Sequence, residues 1–467
     1  MDVMSILRGL LGIIAVLGIA FLFSSDKRRI RLRPILTGLG LMFVFAFLVM
    51  GTGWGAAVLE TVSNGVSALM GFAREGIDFV FGGLYTEESG ITFVVAFDVL
   101  PQIIFFASLI AVLYHLGIMQ VVTRYIGGGI RRVMGTSRAE SISAASNIFV
   151  GHTEAPLTVK PYLARMSRSE LFTVMVGGLA SVAGTMLAAY IALGIPAEYV
   201  LAAMFMAAPA GIVVAKTFYP ETGETSDAAV LVSTARGAEA AEPSTQASAQ
   251  SAGASQASAQ GADTLHTDEP AETAQAAEPA ESGEEAAPVP AAEPEEERAA
   301  NLVDAAASGA RTGLTLALTV GAILLAFVAL IAVLNGAIAA VGGLFGVETS
   351  LQEILGYALS PLAFALGVPW SEAVQAGSFI GEKFILTEFI AFTSLSEAAG
   401  ALSAKTVAIS SFALCGFANL GSMGSLIGVL GSLAPGRKKE VARLALKSVF
   451  AGMLASMLSA AVIGMFF

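Results

Sequence analysis

Long apolar runs, separated by short polar or glycine-rich joints, dominate this chain of 467 residues. A helix needs about 20 residues to cross a hydrocarbon layer of roughly 30 Å. Eight runs meet that length: 5–24, 35–55, 96–119, 170–194, 198–218, 311–343, 403–433 and 447–467. Two further stretches, 139–166 and 373–400, are apolar enough to enter a bilayer but carry glycines and polar residues near their middles. Each predicts a re-entrant helix-turn-helix hairpin, because a non-helical tip at membrane depth is tolerated only inside protein or beside a water-filled cavity. The expected fold is an all-α polytopic membrane protein, with eight transmembrane helices, two re-entrant hairpins and interfacial helices.

Composition agrees: 55% of residues are hydrophobic and only 13% charged, outside the range of soluble globular chains. The basic cluster Lys27, Arg28, Arg29, Arg31 and Arg33 follows the first run. That order suits a stop-transfer signal and opposes a cleaved leader, whose basic residues precede the apolar run. Two more clusters, Arg124–Arg138 and Arg437–Lys447, follow the third run and precede the last. With eight spans and both termini outside, all three fall in the cytoplasm, as the positive-inside rule requires. The cytoplasmic (inner) membrane is the expected location.

The net charge of −12 belongs to one segment. Residues 221–300 hold 17 Asp and Glu against two Arg, which leaves the rest of the chain at +3. No basic nucleic-acid footprint remains. Repeats such as QASAQSAGASQASAQGA bury too little apolar surface to offset ordering entropy, so 219–305 is expected to be a disordered cytoplasmic loop, a spacer or a docking tail. NLVDAAASGAR, just after it, has the pattern of a short interfacial segment. The expected organisation is N-terminal spans in 1–119, a first hairpin and broken helix in 120–218, the loop in 219–305, an interfacial segment and long scaffold helix in 306–372, and a second hairpin and broken helix in 373–467. A lone Cys415 excludes an internal disulfide, and His115, His152 and His266 have no metal-ligand spacing.

The chemistry sits in the two hairpins. HTEAPL carries Glu154 near the first tip and LTEFIA carries Glu388 near the second; both centre on Thr-Glu. About thirty residues after each comes an apolar helix interrupted by small or polar residues, LASVAGTMLAAY and CGFANLGSMGS. Hairpin then broken helix, twice, is the trace of an internal repeat in a secondary transporter, with the solute site where the halves meet. A carboxylate at membrane depth costs at least about 2.5–3.5 kcal/mol, so it persists when paired, hydrated or used. The plainer roles are an interfacial loop position for Glu154, an ion pair with Lys383 for Glu388, and a bond to a neighbouring helix for Asn419. Asn147 with the Val150 carbonyl, and Ser181 with the Val182 carbonyl, offer oxygen donors suited to a group I ion rather than a transition metal.

FLFSSDKRRIRLRPILTGLGL, VLPQIIFFASLIAVLYHLGIMQ, ASNIFVGHTEAPLTVKPYL, MSRSELFTVMVGGLASVAGTMLAAYI, GEKFILTEFIAF and SFALCGFANLGSMGSLIGVLGSLAP occur in this order. Apart from the acidic loop, nearly the whole chain resembles the concentrative nucleoside transporters. The resemblance implies a homotrimer embedded in lipid, each protomer importing nucleosides with a coupling ion, and no further cofactor. It implies base contacts at His152, Thr153 and Glu154, ribose contacts at Glu388, Asn419 and Ser422, an occluding aromatic at Phe417, and sodium at Asn147, Val150, Ser181 and Val182. The family usually has glutamine where this chain has His152, and asparagine where it has Thr387. Imidazole offers a different donor and acceptor set and titrates near neutrality, so base preference and proton coupling are open at this position.

The readings in competition are a proton-coupled nucleoside or nucleobase importer on the same scaffold, a carrier of an anionic solute, a passive channel and an intramembrane hydrolase. Two site carboxylates repel an anion. Carboxylates at repeated hairpin tips suit alternating access better than a pore ring. The hydrolase lacks both an HExxH-type helix and a nucleophile–base pair. The expectation is therefore a carrier, not an enzyme, that imports nucleosides with sodium.

Overall fold

A computed structural model of the chain describes residues 3–85, 93–223 and 299–467. These residues form helices and no strand. In chain order the helices are α1 (Val3–Leu22), α2 (Leu32–Gly51), α3 (Gly53–Phe81), α4 (Val95–Asp98), α5 (Leu100–His115), α6 (Ile118–Met134), α7 (Arg138–Ser146), α8 (Lys160–Leu163) and α9 (Arg168–Ala180). After them come α10 (Gly184–Ala192), α11 (Ala197–Phe218), α12 (Leu302–Gly343), α13 (Leu351–Ala365), α14 (Trp370–Ile385), α15 (Glu388–Ala398), α16 (Ala404–Leu414), α17 (Leu420–Leu433) and α18 (Lys438–Ile463). Most of the acidic stretch, 224–298, and with it the expectation of disorder there, lies outside the described residues.

Among the described residues, eight helices or helix pairs are long and apolar enough to span a bilayer, and seven of them coincide with expected runs. Gly53–Leu84 qualifies although it carries Glu60, Arg74, Glu75 and Asp78. Those charges hid α3 from a search for apolar runs, and only Gly55, Ala73 and Ile77 of it are buried. The run 403–433 is interrupted, as expected of a broken helix: it divides into α16 and α17 at Cys415–Asn419. NLVDAAASGAR is no separate element, because α12 runs unbroken for 42 residues from Leu302.

The core is built by helices that are apolar on every side and therefore enclosed: α9 and α10, α11, and most of α18. Around them α1, α2, α5 and α12 bury one face and leave apolar side chains outward. On α12 the buried stripe is Ala305, Gly309, Gly313 and Ala317. A Cβ on Gly309 would stand 2.7 Å from the Ala107 carbonyl, so small residues let α12 and α5 meet backbone to backbone.

Local chemistry fixes where the first hairpin begins. Ser137 and Glu140 form a reciprocal capping box at the start of α7, and Ser167 and Glu170 do the same for α9. Glu140 also holds Lys216 of α11 at 2.5 Å, and Lys216 reaches Glu221 at 3.2 Å. This buried cluster ties α7 to the core.

The basic clusters gather at one end of the molecule. Arg29 donates to the Thr222 carbonyl, Arg33 to the Arg132 carbonyl, and Arg437 to the carbonyls of Leu163 and Met166. At the far end of α1, Lys405 bridges Ser5 and the Phe467 carbonyl, which brings the two chain ends together.

Candidate functional site

Each Thr-Glu pair stands where a hairpin turns. In the first, α7 ends at Ser146, the chain turns through Asn147–Glu154, and a 3-10 segment, Ala155–Val159, carries Pro156 in its first turn before α8. Proline there lacks only an amide that would be unsatisfied anyway. In the second, α14 and α15 are joined by Leu386–Thr387, and the Thr387 hydroxyl caps α15 by accepting from the Ile390 amide. Thr387 thereby orients Glu388, the first residue of α15.

The two breaks follow their glutamates at equal intervals. Ser181 comes 27 residues after Glu154, and Cys415 comes 27 after Glu388. The breaks also touch. The Phe417 amide donates to the Ser181 carbonyl at 3.2 Å, and the Val182 amide faces the Cys415 sulfur. Gly416 lies against the carbonyls of Leu179 and Ala180, so close that only a residue without Cβ fits.

Glu388 is buried where the halves meet. Its Oε2 accepts from Asn419 Nδ2 at 2.8 Å and its Oε1 from the Tyr190 hydroxyl at 3.3 Å. Asn419 Oδ1 accepts from the Ser422 amide at 2.7 Å and so caps α17. One asparagine therefore serves both the helix end and the carboxylate. The ion pair with Lys383 is not formed, since both Glu388 oxygens face neutral donors and Lys383 donates elsewhere.

His152 reaches across from the first hairpin to the second broken helix. Its Nε2 lies 2.8 Å from Ser425 Oγ, and its ring centroid is 5.0 Å from that of Phe417. Its Nδ1 is buried without a partner. Thr153 and Glu154 follow on the same turn, half-buried, with the Glu154 carboxylate against the Gly151 amide. Glu388, Asn419 and Ser422 thus form one bonded group. His152, Ser425 and Phe417 form a second, and Phe417 lies two residues before Asn419.

The oxygen donors near the first break also converge. Ser181 Oγ donates to the Asn147 carbonyl at 2.7 Å, and Asn147 Nδ2 donates to the Ser143 carbonyl at 2.9 Å. This leaves Asn147 Oδ1 buried with no donor. A buried acceptor without a donor is costly, and a cation removes that cost. Val150 and Val182 are buried on the same two segments.

Two residues of the site escaped the sequence reading. Tyr190 closes the stretch LASVAGTMLAAY as its only aromatic, and the signal was a phenol on an otherwise apolar half-helix. Ser425 stands three residues after Ser422, on the same face of α17.

Comparison with known proteins places these features in context. Family profiles described as Na+ dependent nucleoside transporter N-terminus, nucleoside recognition, and Na+ dependent nucleoside transporter C-terminus match residues 11–84, 96–197 and 268–464. The chain is 47% identical over 464 residues to the Bacillus subtilis protein called "Uncharacterized transporter YutK", covering 99% of this chain and 100% of that one. To the Helicobacter pylori "Nucleoside permease NupC" it is 41% identical, over 99% of this chain and 98% of that one. The solved structure of CNTnw in an inward-facing substrate-bound state superposes with a TM-score of 0.81 at 43% identity, covering 99% of this chain and 98% of that one. An outward-facing structure of a CNTnw variant gives 0.82 at 42%, over 100% of this chain and 98% of that one.

Proposed function

We propose, from the premise that this chain belongs to the concentrative nucleoside transporter family, that it imports nucleosides across the cytoplasmic membrane with sodium, by alternating access. The observation that carries the mechanism is the convergence of two hairpins and two broken helices on Glu388, Asn419 and His152. Broken helices in two corresponding halves suit a carrier whose solute site is opened to either side by rocking of one half against the other.

In this reading the polar groups that now satisfy one another exchange those bonds for a nucleoside. Glu388, Asn419 and Ser422 take the ribose hydroxyls, since a carboxylate accepts from two hydroxyls while an amide gives and accepts. His152, Thr153 and Glu154 take the base, and Phe417, tilted against the His152 ring, closes over it. Asn147, Val150, Ser181 and Val182 hold sodium, a role that the unpartnered Asn147 Oδ1 supports. The ion draws the first hairpin onto the first break and raises affinity for the nucleoside; coupling is that difference in affinity. The hairpins re-enter the membrane from opposite sides, the basic end faces the cytoplasm, both chain ends face out, and three copies assemble. The gathering of arginines at one end supports this orientation.

Uptake of labelled uridine and adenosine into proteoliposomes tests the reading. Accumulation is expected with an inward sodium gradient and not without one. Accumulation with protons alone transfers the coupling to a titratable group, and no accumulation under any gradient refutes the proposal.

His152 sets base preference in this scheme. His152→Gln, which restores the family's usual donor and acceptor pair, is expected to keep transport and to change the uridine-to-adenosine ratio of kcat/KM by roughly tenfold, about one net hydrogen bond. An unchanged ratio in competition assays removes His152 from the base site.

A further inference from the structure

Lys383 is fully buried beside the candidate site, and among the described residues no carboxylate stands within ion-pair distance of it. Its ammonium donates to the Ala413 carbonyl at 2.8 Å and to Ser456 Oγ of α18 at 2.7 Å. Both are lengths of charge-assisted bonds. A buried cation outside any close ion pair is costly to keep at membrane depth; Glu388 lies near enough to act on its charge but bonds neutral donors, and the proposed sodium site does not use Lys383.

Its position explains it. Ala413 is the penultimate residue of α16, the half-helix that ends at the second break. The C-terminal end of a helix carries partial negative charge and unpaired carbonyls, and in transporters such ends hold the coupling cation. In the first half, Asn147, on the arm leading to Thr153-Glu154, faces the first break through Ser181. In the second half, Lys383, on the arm leading to Thr387-Glu388, faces the second break through Ala413. The intervals of 27 residues from glutamate to break place both cation positions near the end of the helix that precedes its break, Ala413 lying two residues before Cys415.

We propose that Lys383 is a tethered cation, which does permanently for the second half what a mobile ion does for the first. The second break is then organised in every step of the cycle, and only the first waits for an ion from solution. The carrier consequently moves one cation with each nucleoside. The inference rests on the sodium reading of the first half.

The experiment is the ratio of charge to nucleoside, read from the voltage that nulls flux in proteoliposomes, for the wild type, Lys383→Met and Lys383→Asn. A ratio of one is expected for the wild type; two overturns the proposal, including when the variants fail to fold. Lys383→Met, which leaves the Ala413 carbonyl without a cation, is expected to lose at least 30-fold in uptake. Lys383→Asn is shorter and uncharged, and leaves an amide oxygen facing the space that the ammonium vacates beside Ala413 and Ser456. It is expected to restore uptake with a ratio of two and a sodium-activation slope rising from about one to about two. Either variant moving nucleoside at the wild-type ratio and KM overturns the proposal. A lysine that only packed would change yield or rate and leave the ratio at one in Lys383→Asn. Wild-type uptake driven by protons alone discards the sodium reading, while the charge ratio still decides for or against Lys383.

Discussion

Replacing Glu388 by Gln is expected to reduce uptake about 100-fold while the protein still folds. The substitution is nearly isosteric, and an amide can keep both neighbours: its carbonyl accepts from Asn419 Nδ2 and its NH2 donates to the Tyr190 oxygen. The solute loses more. Two hydroxyls that donated to a carboxylate would meet one acceptor and one donor, without the charge. Hydrogen bonds to charged groups are worth about 1.5–3 kcal/mol each, and about 2.8 kcal/mol is a factor of 100. Initial rates of uridine uptake under a sodium gradient, with gel filtration of the purified variant as the folding control, make the comparison. Wild-type rates in a well-folded variant would remove Glu388 from the site. Tyr190→Phe gives the internal reference, because it deletes a bond at 3.3 Å and leaves the carboxylate.

The candidate site is legible in the sequence because a membrane makes polar residues conspicuous. Glu154, Glu388 and Asn419 are expensive where they stand, so each invited a functional reading, and the structure joins Glu388 to Asn419 as one bonded group. The same logic hid what is cheap. Tyr190 and Ser425 carry no charge and so cost little in an apolar helix, and what makes them matter, contact with Glu388 and with His152, lies 198 and 273 residues away. For Lys383, proximity in sequence offers an ion pair with Glu388 as the plainer role, whereas packing delivers the ammonium to Ala413 and Ser456, 30 and 73 residues away.

The fold was legible to a similar degree. Uniformly apolar helices such as α11 and paired Thr-Glu tips are strong one-dimensional signals. Helix α3 escapes a search for continuous apolar runs because Glu60, Arg74, Glu75 and Asp78 interrupt it, although its length and mean hydropathy suffice for a span. The division of 403–433 showed in its glycines and Asn419, but as an interruption within one span. Two helices result because Cys415 and Gly416 leave the helical path to lie on the first break, a contact between segments more than 200 residues apart that no local pattern contains.

That contact gives the second large effect. Gly416 has φ of +149°, a backbone conformation that L side chains rarely adopt. A Cβ added there would stand 2.8 Å from the Ala180 carbonyl and 2.9 Å from that of Leu179. Both are backbone atoms at the end of α9, with no rotamer to yield. Gly416→Ala therefore forces the two breaks apart and pulls the Phe417 amide from the Ser181 carbonyl. Strain and overpacking of this kind cost about 3 kcal/mol together. The expected result is a clear drop in thermal stability in detergent and a loss of uptake of at least tenfold, since Ser181 and Phe417 both border the site. Gly428→Ala on α17 is the control: an added Cβ there meets nothing within 4 Å, and alanine suits a helix interior better than glycine, so stability should hold or rise slightly. If Gly416→Ala behaves like Gly428→Ala in both assays, the two broken helices are not locked together at their breaks, and the site they frame must be organised in another way.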